Sequence, residues 1–211
     1  MLDAIIISMS RNTPYLVDFE MKAGKSHTKD GNWPKIFTLE MRQDDPAKCT
    51  SAKMRKFGFA RSIGRRFIPR NALVLNPIAT SYLQRNDRPI AERFGIAVLD
   101  CSWNRSEGIF ERDYGKEERR LPALLAGNPT NYAKMGRLSS IEAVAAALFI
   151  MDFKDLASKL VSIYKWGGTF LTLNGDILEE YSKASSPQEV RNIESSYFPG
   201  MRTSADQSLP P

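Results

Sequence analysis

Cysteine and histidine are scarce in this sequence, and long hydrophobic runs are missing from it. The chain of 211 residues has two cysteines, Cys49 and Cys101, and one histidine, His27. Two cysteines are too few for a disulfide framework or a metal cluster, and they suit a reducing cytoplasm. One histidine disfavours histidine-based triads and histidine-rich metal sites. The longest apolar stretch, residues 144–151, is too short to span a bilayer, so we expect neither a metal nor a membrane partner.

The composition is that of a folded protein. Hydrophobic residues make up 42% of the chain and aromatic residues 10%, which excludes wholesale disorder. The length supports one domain, or one domain with a smaller lobe. Residues 1–10 include Asp3 and no basic residue, so they do not resemble a signal peptide.

The positive charge is concentrated in one segment. The net charge is +6, and no acidic residue occurs between Pro46 and Asn86. The basic residues there are Lys48, Lys53, Arg55, Lys56, Arg61, Arg65, Arg66, Arg70 and Arg85. Such a one-signed stretch favours a phosphate backbone as partner. A membrane surface, or a solvated face balanced by acids elsewhere, is the alternative.

The hydrophobic patterns predict an α/β architecture. Apolar strands without polar alternation, separated by helical patterns, are typical of a parallel sheet covered on both faces. The predicted strands are 36–41, 67–69, 72–75, 96–99 and 122–126, with helices at 48–57 and 81–94, the second ending at Gly95.

The pattern then becomes helical. Ser139 and Glu142 form a capping box that begins a strong helix ending near residue 151. Further helices are predicted at 155–164, 175–182 and 187–195. The predicted organisation is therefore an N-terminal extension (1–34), an α/β lobe (35–128) and an all-helical lobe with a short tail (129–211).

The loops that follow the predicted strands are the candidate site. Parallel sheets bind ligands beyond the carboxyl ends of their strands. No glycine-rich nucleotide fingerprint follows any strand, which disfavours dinucleotide oxidoreductases and P-loop NTPases. A carboxylate at Asp100 and an indole at Trp103 suit a cationic, adenine-bearing cofactor. A turn-forming role for Asp100 and core packing for Trp103 are equally ordinary explanations, so spacing alone leaves these two residues undecided.

Five segments, in order along the chain, carry a resemblance to a known family. They are residues 44–51 (DDPAKCTS), 100–105 (DCSWNR), 120–132 (RLPALLAGNPTNY), 138–143 (LSSIEA) and 165–174 (KWGGTFLTLN). Together they resemble the small-subunit rRNA aminocarboxypropyltransferases of ribosome biogenesis, over roughly residues 36–183. Each motif is weak by itself, but the series of five is specific.

The resemblance implies both an activity and a fold. Members of the family transfer the 3-amino-3-carboxypropyl (acp) group of S-adenosylmethionine (SAM) to N3 of N1-methylpseudouridine in small-subunit rRNA, and methylthioadenosine is released. Their fold is similar to that of SPOUT methyltransferases, a parallel-sheet lobe followed by a helical lobe with a deep trefoil knot. Knots are otherwise very rare, so composition and periodicity do not predict one.

The resemblance also implies roles for particular residues. Leu75, Pro77 and Trp103 would flank the adenine. The backbone of Leu99 would hold the ribose hydroxyls, and the backbones of Leu121 and Gly136 would contact the adenine edge.

At the amino acid end of the cofactor, Thr50 and Ser140 would hold the carboxylate. A helix N-terminus at Ser140 is a ready carboxylate site on physical grounds as well. Asp100 would stabilise the sulfonium or, alternatively, accept the N3 proton. Lys53, Arg61, Arg65, Arg66 and Arg70 would contact RNA phosphates.

Two other functions stay open from the sequence. A SPOUT-type rRNA methyltransferase would release S-adenosylhomocysteine instead, and a non-catalytic RNA-binding assembly factor would not bind the cofactor. The expected partner is small-subunit rRNA or a pre-ribosomal particle, and the expected protein is a cytoplasmic monomer.

Overall fold

The computed structural model describes residues 33–40, 49–101, 103, 108–115 and 117–200. Apart from Trp33 and Pro34, the predicted extension 1–34 lies outside these residues, as do the acidic turn at 44–46 and the tail after residue 200.

The described residues include a five-stranded, fully parallel sheet. Its strands are β1 Ile36–Glu40, β2 Ala60–Ser62, β3 Leu73–Leu75, β4 Ile96–Asp100 and β5 Glu118–Arg119. Their order across the sheet is β2-β1-β4-β3-β5. In the central pair Ile36 lies beside Ile96, and Glu40 lies beside Asp100. Asp100 therefore ends the central strand at the carboxyl edge of the sheet.

Six α-helices surround the sheet within the described residues. They are α1 Thr50–Lys56, α2 Arg88–Phe94, α3 Ser140–Ile150, α4 Lys154–Val161, α5 Gly167–Tyr181 and α6 Pro187–Tyr197. The predicted capping box of Ser139 and Glu142 begins α3, and Gly95 ends α2 with a φ of 89°, as its sequence position predicts.

Two apolar cores cover the two faces of the sheet, which explains why its inner strands are apolar throughout. The smaller core contains Phe37, Val74 and Tyr114. The larger core runs from Ile36 in β1 to Val190 in α6, and α3 is buried in its middle. The predicted boundary near residue 128 stays a prediction, and residues on both sides of it share this larger core.

Several predicted elements are corrected by the structure. Residues 67–69 are not a strand: Phe67 is the last residue of a 3-10 turn, Arg65–Phe67, and the strand of this part of the chain is β2. The last strand is β5 and not 122–126, where Leu125 makes only an isolated bridge to Met135. Prolines explain both errors, since Pro69 and Pro122 have no N–H to donate to a sheet.

Helix bounds differ as well. A 3-10 turn, Arg85–Asp87, replaces the first half of the predicted helix 81–94, and α2 begins only at Arg88. Helix α5 begins eight residues earlier than the predicted 175, at Gly167. The glycines at 167 and 168 obscured that start, because glycine normally disfavours a helix interior. Within the described chain, no helix has both the length and the apolar character that crossing a bilayer requires.

Candidate active site

A cavity of about 740 Å³ opens at the carboxyl edge of the sheet, beyond the ends of β3 and β4. All nine residues that the sequence analysis placed around the cofactor line it. They are Thr50, Leu75, Pro77, Leu99, Asp100, Trp103, Leu121, Gly136 and Ser140. These residues come from five separate parts of the chain, and the fold brings them to one set of walls.

The carboxylate of Asp100 is held by three donors from two helix starts. The Ser51 hydroxyl donates to Oδ2 at 2.6 Å, and the Cys49 thiol donates to the same oxygen at 3.0 Å. The Ser140 hydroxyl donates to Oδ1. Since α1 begins at Thr50 and α3 at Ser140, Asp100 joins the first turns of both helices to the end of β4.

The Asp100 carboxylate affects the pKa values of Cys49 and Tyr164. Burial raises the pKa of the Cys49 thiol above its usual value, and the hydrogen bond and charge of Asp100 raise it further, against an opposing effect of Ser51. Burial, with smaller contributions from Cys49 and Asp100, raises the pKa of the Tyr164 phenol. Both groups therefore stay neutral at physiological pH.

Trp103 forms an apolar wall of the cavity and is itself only half-buried. Its indole N–H donates to the carbonyl of Leu138 at 2.8 Å, and its ring lies 5.7 Å from that of Phe110. These contacts fix the indole plane at the cavity, so simple core packing does not describe this residue.

Glu142 was predicted only as the acid of the α3 capping box, but its side chain also binds a loop of the cavity. It is fully buried, and it accepts hydrogen bonds from the backbone N–H groups of Gly127, Asn128 and Ser139 at 2.7–2.9 Å. The Asn128 side-chain amide and the Ser139 hydroxyl donate to it as well. Glu142 therefore fastens the loop at residues 127–128 to the start of α3, beside Ser140.

A second buried acid, Glu194 of α6, was missed entirely. It lines the cavity and accepts from the Tyr82 hydroxyl and the Ala123 backbone N–H, both at 2.8 Å. Burial and this carboxylate raise the pKa of Tyr82, so the phenol remains a donor. Arg120 lies over the Tyr82 ring, 4.1 Å from its centroid. The sequence did not predict the pair of Tyr82 and Glu194, because the two residues are 112 positions apart and no motif contains both.

The five basic residues predicted to contact RNA do not line the cavity. Arg61, Arg65, Arg66 and Arg70 are exposed on the segment between α1 and β3. Arg65 donates to the carbonyl of Asp113. Lys53 contacts a residue of the cavity wall, with its ammonium 3.9 Å from the centroid of the Tyr164 ring. An RNA role for these residues stays a prediction.

Comparison with known proteins gives consistent results. Residues 73–198 match the family described as "Ribosome biogenesis protein, C-terminal". The 16S rRNA aminocarboxypropyltransferase of Methanocaldococcus jannaschii is 44% identical over 78% of this chain and 96% of the relative. The protein of the same name from Thermoplasma acidophilum is 48% identical over 77% of this chain and 98% of the relative.

A solved structure is also similar to this chain. The SAM-dependent rRNA:acp-transferase of Vulcanisaeta distributa superposes with a TM-score of 0.69 at 39% identity, over 78% of this chain and 95% of that one. The similarity therefore extends over more than three quarters of this chain.

Proposed function

The chain belongs to the 16S rRNA aminocarboxypropyltransferase family, and we propose that it transfers the acp group of SAM to N3 of N1-methylpseudouridine in small-subunit rRNA. The bond between N3 and the acp carbon forms while the bond from that carbon to sulfur breaks. Sulfur keeps the electron pair, methylthioadenosine leaves, and the N3 proton is lost. The observation that carries the proposal is the convergence of nine residues from five separate parts of the chain on one cavity.

The cavity fits SAM in size and in chemistry. Its volume of about 740 Å³ lies in the usual range for small-molecule sites, about 300–1,000 Å³. Leu75 and Pro77, with the indole of Trp103, offer apolar walls for the adenine, and the backbone of Leu121 lies next to them along the cavity. The carboxylate of Asp100 offers the one charge that a sulfonium requires.

Asp100 has an electrostatic role in this proposal. Both of its oxygens already accept hydrogen bonds, from Ser51, Cys49 and Ser140. A carboxylate held in this way is pre-oriented as an anion, which favours an adjacent sulfonium. Three of the roughly four lone-pair sites of the carboxylate are already engaged in this way, so we assign the electrostatic role to Asp100 and loss of the N3 proton to another base.

The ligand carboxylate would lie at the start of α3. The Ser140 hydroxyl donates to Asp100, so the first backbone N–H groups of α3, beginning at Ser140, are the donors left for this role. The hydroxyl of Thr50, at the start of α1, is the second donor. Between them the acp chain would extend toward the cavity mouth.

Orientation of the sulfonium would select the reaction. A sulfonium has three electrophilic carbons, and only the one presented at near-attack geometry reacts. With its methyl group against Trp103, SAM would present the acp carbon to the nucleobase. The same cofactor turned around would donate its methyl group, as a methyltransferase requires.

The exposed arginines are the proposed RNA face. Arg61, Arg65, Arg66 and Arg70 lie on one segment without an acidic residue, and a basic surface of this kind binds phosphates with strong salt dependence. The partner would be small-subunit rRNA or a pre-ribosomal particle. We also propose that the protein acts as a monomer in the cytoplasm, which light scattering and cell fractionation would check.

A deep trefoil knot of the SPOUT type belongs to this proposal too. Its support is the resemblance itself, together with a fully parallel sheet whose order is not sequential. A crystal structure of this chain, traced continuously from β1 to α6, would decide whether the helical part passes through a loop of the α/β part.

Calorimetric titration with SAM, followed by mass analysis of the small-molecule product after incubation with undermodified 16S rRNA, tests the function. We expect binding and release of methylthioadenosine. Release of S-adenosylhomocysteine would establish a methyltransferase instead. RNA binding without cofactor binding would establish an assembly factor with no transferase site.

Replacement of Asp100 by Asn tests the assigned charge. We expect the rate of acp transfer to fall roughly 100-fold, because a pre-oriented charge at the reacting centre is lost. The control is Asp155→Asn, which removes an exposed carboxylate on α4 and should leave the rate unchanged. Equal rates for Asp100→Asn and the unmodified protein would contradict the electrostatic role.

A further inference from the structure

Tyr164 and Trp166 form an aromatic pair on the cavity wall that the cofactor residues do not account for. Both side chains line the cavity and are half-buried, and both pack against the larger core. Their ring centroids are 4.8 Å apart, with the planes tilted by 34°. Exposed aromatic surface in a cavity is typical of a binding site, so these two rings are candidates for contact with a ligand.

The connection between α4 and α5 fixes this pair in place. A Cβ atom on Gly167 would lie 1.9 Å from the carbonyl oxygen of Val161, so only glycine permits the close approach of the two chain segments. The Gly167 N–H donates to the Tyr164 carbonyl at 2.9 Å, which closes the turn. Trp166 is therefore held rigidly beside the start of α5.

The pair lies at the end of the cavity where the transferred group would be. Tyr164 lies beside α1, because the ammonium of Lys53 in that helix contacts the Tyr164 ring. The proposed adenine residues, Leu75 and Pro77, lie at the end of β3, whereas Asp100 ends β4 and contacts the first turns of α1 and α3. Tyr164 therefore belongs to the acp end of the site.

A cation completes the surface. The Lys53 ammonium lies 3.9 Å from the Tyr164 ring centroid, within the range of a cation–π contact. The Lys53 ammonium and the Trp166 ring both contact the ring of Tyr164. Of the two aromatic rings, the indole of Trp166 is therefore the one left to contact a ligand.

We propose that Trp166, supported by Tyr164, stacks the target pyrimidine and holds its N3 toward the acp carbon, with Lys53 contacting the phosphate backbone beside it. This inference rests on the proposed transfer to rRNA. An enzyme that modifies a base must take the base out of its stack, and flipped or single-stranded bases stack on aromatic side chains. A stack on a rigid indole would replace the lost base stacking and fix the base plane for in-line attack.

Two substitutions at Trp166 separate stacking from packing. Leu keeps most of the apolar contact but removes the aromatic face, whereas Phe keeps an aromatic face. For Trp166→Leu we expect the KM for undermodified 16S rRNA to rise roughly tenfold to hundredfold, the range of one base-stacking contact. For Trp166→Phe we expect a change of less than about threefold, since a smaller ring still stacks. SAM affinity, measured by calorimetry, should be unchanged in both.

The control is Tyr197→Ala, which removes a partly exposed aromatic ring of α6 that does not line the cavity and should not change the KM for RNA. If Trp166→Leu binds SAM normally and its KM for RNA is unchanged, the stacking inference is wrong while the transferase function stands. If the unmodified protein itself releases no methylthioadenosine, the proposed function fails first.

Fluorescence gives a second test that requires no unstable variant. The protein is saturated with S-adenosylhomocysteine, which has no acp group on a sulfonium to transfer, and undermodified 16S rRNA is then added. We expect quenching of tryptophan emission in the unmodified protein and little quenching in Trp166→Phe, since Trp33 and Trp103 remain in both. Equal quenching in the two proteins would overturn the assignment of the stacking ring to Trp166.

Discussion

Asp100 shows most directly how single residues set the chemistry of this site. Its carboxylate accepts from two hydroxyl groups and one thiol, and it is the acid that ends the central strand. Its charge contributes to the raised pKa of two neighbours, the Cys49 thiol and the Tyr164 phenol. Cys49, whose thiol is 3.0 Å away, is the most sensitive of them.

The reactivity of Cys49 should report the charge of Asp100. Because the carboxylate disfavours a neighbouring thiolate, its removal in Asp100→Asn should lower the pKa of Cys49 and accelerate alkylation at pH 8 by roughly tenfold. The measurement is the pH dependence of iodoacetamide modification in a Cys101→Ala background, which leaves Cys49 as the single cysteine. An unchanged pH profile would show that Asp100 does not control this thiol.

At the scale of an element, helix α3 shows how polar contacts at one end of a helix fix its position. Its Ala-rich sequence is buried on all sides, so its position depends on the polar contacts at its start. Glu142 supplies these contacts to the loop at Gly127 and Asn128, beside Ser140, whose own hydroxyl donates to Asp100.

Replacement of Glu142 by Ala should be strongly destabilising. Three backbone N–H groups and the Asn128 amide would lose their acceptor, and the free energy of unfolding should fall by about 3 kcal/mol or more. SAM affinity should fall as well, since the start of α3 would shift. Urea denaturation measures the first effect and calorimetry the second. Glu189→Ala, which removes an exposed acid at the start of α6, is the control and should have a much smaller effect on both.

Helix α6 acts on the site through Glu194. In Glu194→Gln a single oxygen must serve both Ala123 and Tyr82, and the new amide would face one of the two donors. We expect SAM affinity to fall roughly tenfold, because Ala123 lies two residues from Leu121 and fixes that segment of backbone.

A double variant tests this reasoning. Tyr82→Phe removes one donor, so the glutamine oxygen would be free to accept from Ala123 alone. SAM affinity in the pair Tyr82→Phe/Glu194→Gln should return to within about threefold of the unmodified protein. An affinity no better than that of Glu194→Gln would mean that Glu194 acts by some other route.

At the scale of the whole molecule, the helical region and the cavity loop form one packed unit. A Cβ atom on Gly127 would lie 2.6 Å from the backbone nitrogen of Phe170 in α5. The Asn174 side chain, one turn further along α5, exchanges hydrogen bonds with both backbone groups of Leu125. Loop 125–127 therefore lies directly on α5, and motion of one requires motion of the other.

Gly127→Ala should push loop 125–127 away from α5. Since the nearest atoms belong to backbone, they cannot move aside cheaply, and we expect the free energy of unfolding to fall by about 1–3 kcal/mol with weaker SAM binding. Gly168→Ala is the matched control on α5, where a Cβ meets nothing within 4 Å. It should be neutral or slightly stabilising, because alanine favours a helix. Equal melting temperatures for the two variants would contradict the close packing.

Local pattern was enough to predict much of the fold. Apolar runs gave β1, β3 and β4, and the capping box at Ser139 gave the start of α3, because these signals depend on neighbours along the chain. The pattern failed at β2 and β5, which have three and two residues. Strands this short exist because the neighbouring strand pairs with them, and their own residues carry little signal.

The sequence by itself determined the family and, through the family resemblance, nine of the residues that line the cavity. It did not determine how those residues are held. The partners of Glu142 lie up to 15 residues away and Tyr82 lies 112 residues from Glu194, so no local spacing relates them.

Only the tertiary structure places Trp166 and Tyr164 at the same cavity as Asp100. The physical reason is that a hydrogen bond or a ring contact requires proximity in space, and the core that supplies it forms from both halves of the chain at once. The chemistry of each residue can be predicted from its type and motif. Which groups it contacts depends on how α3, α5 and α6 pack on the sheet.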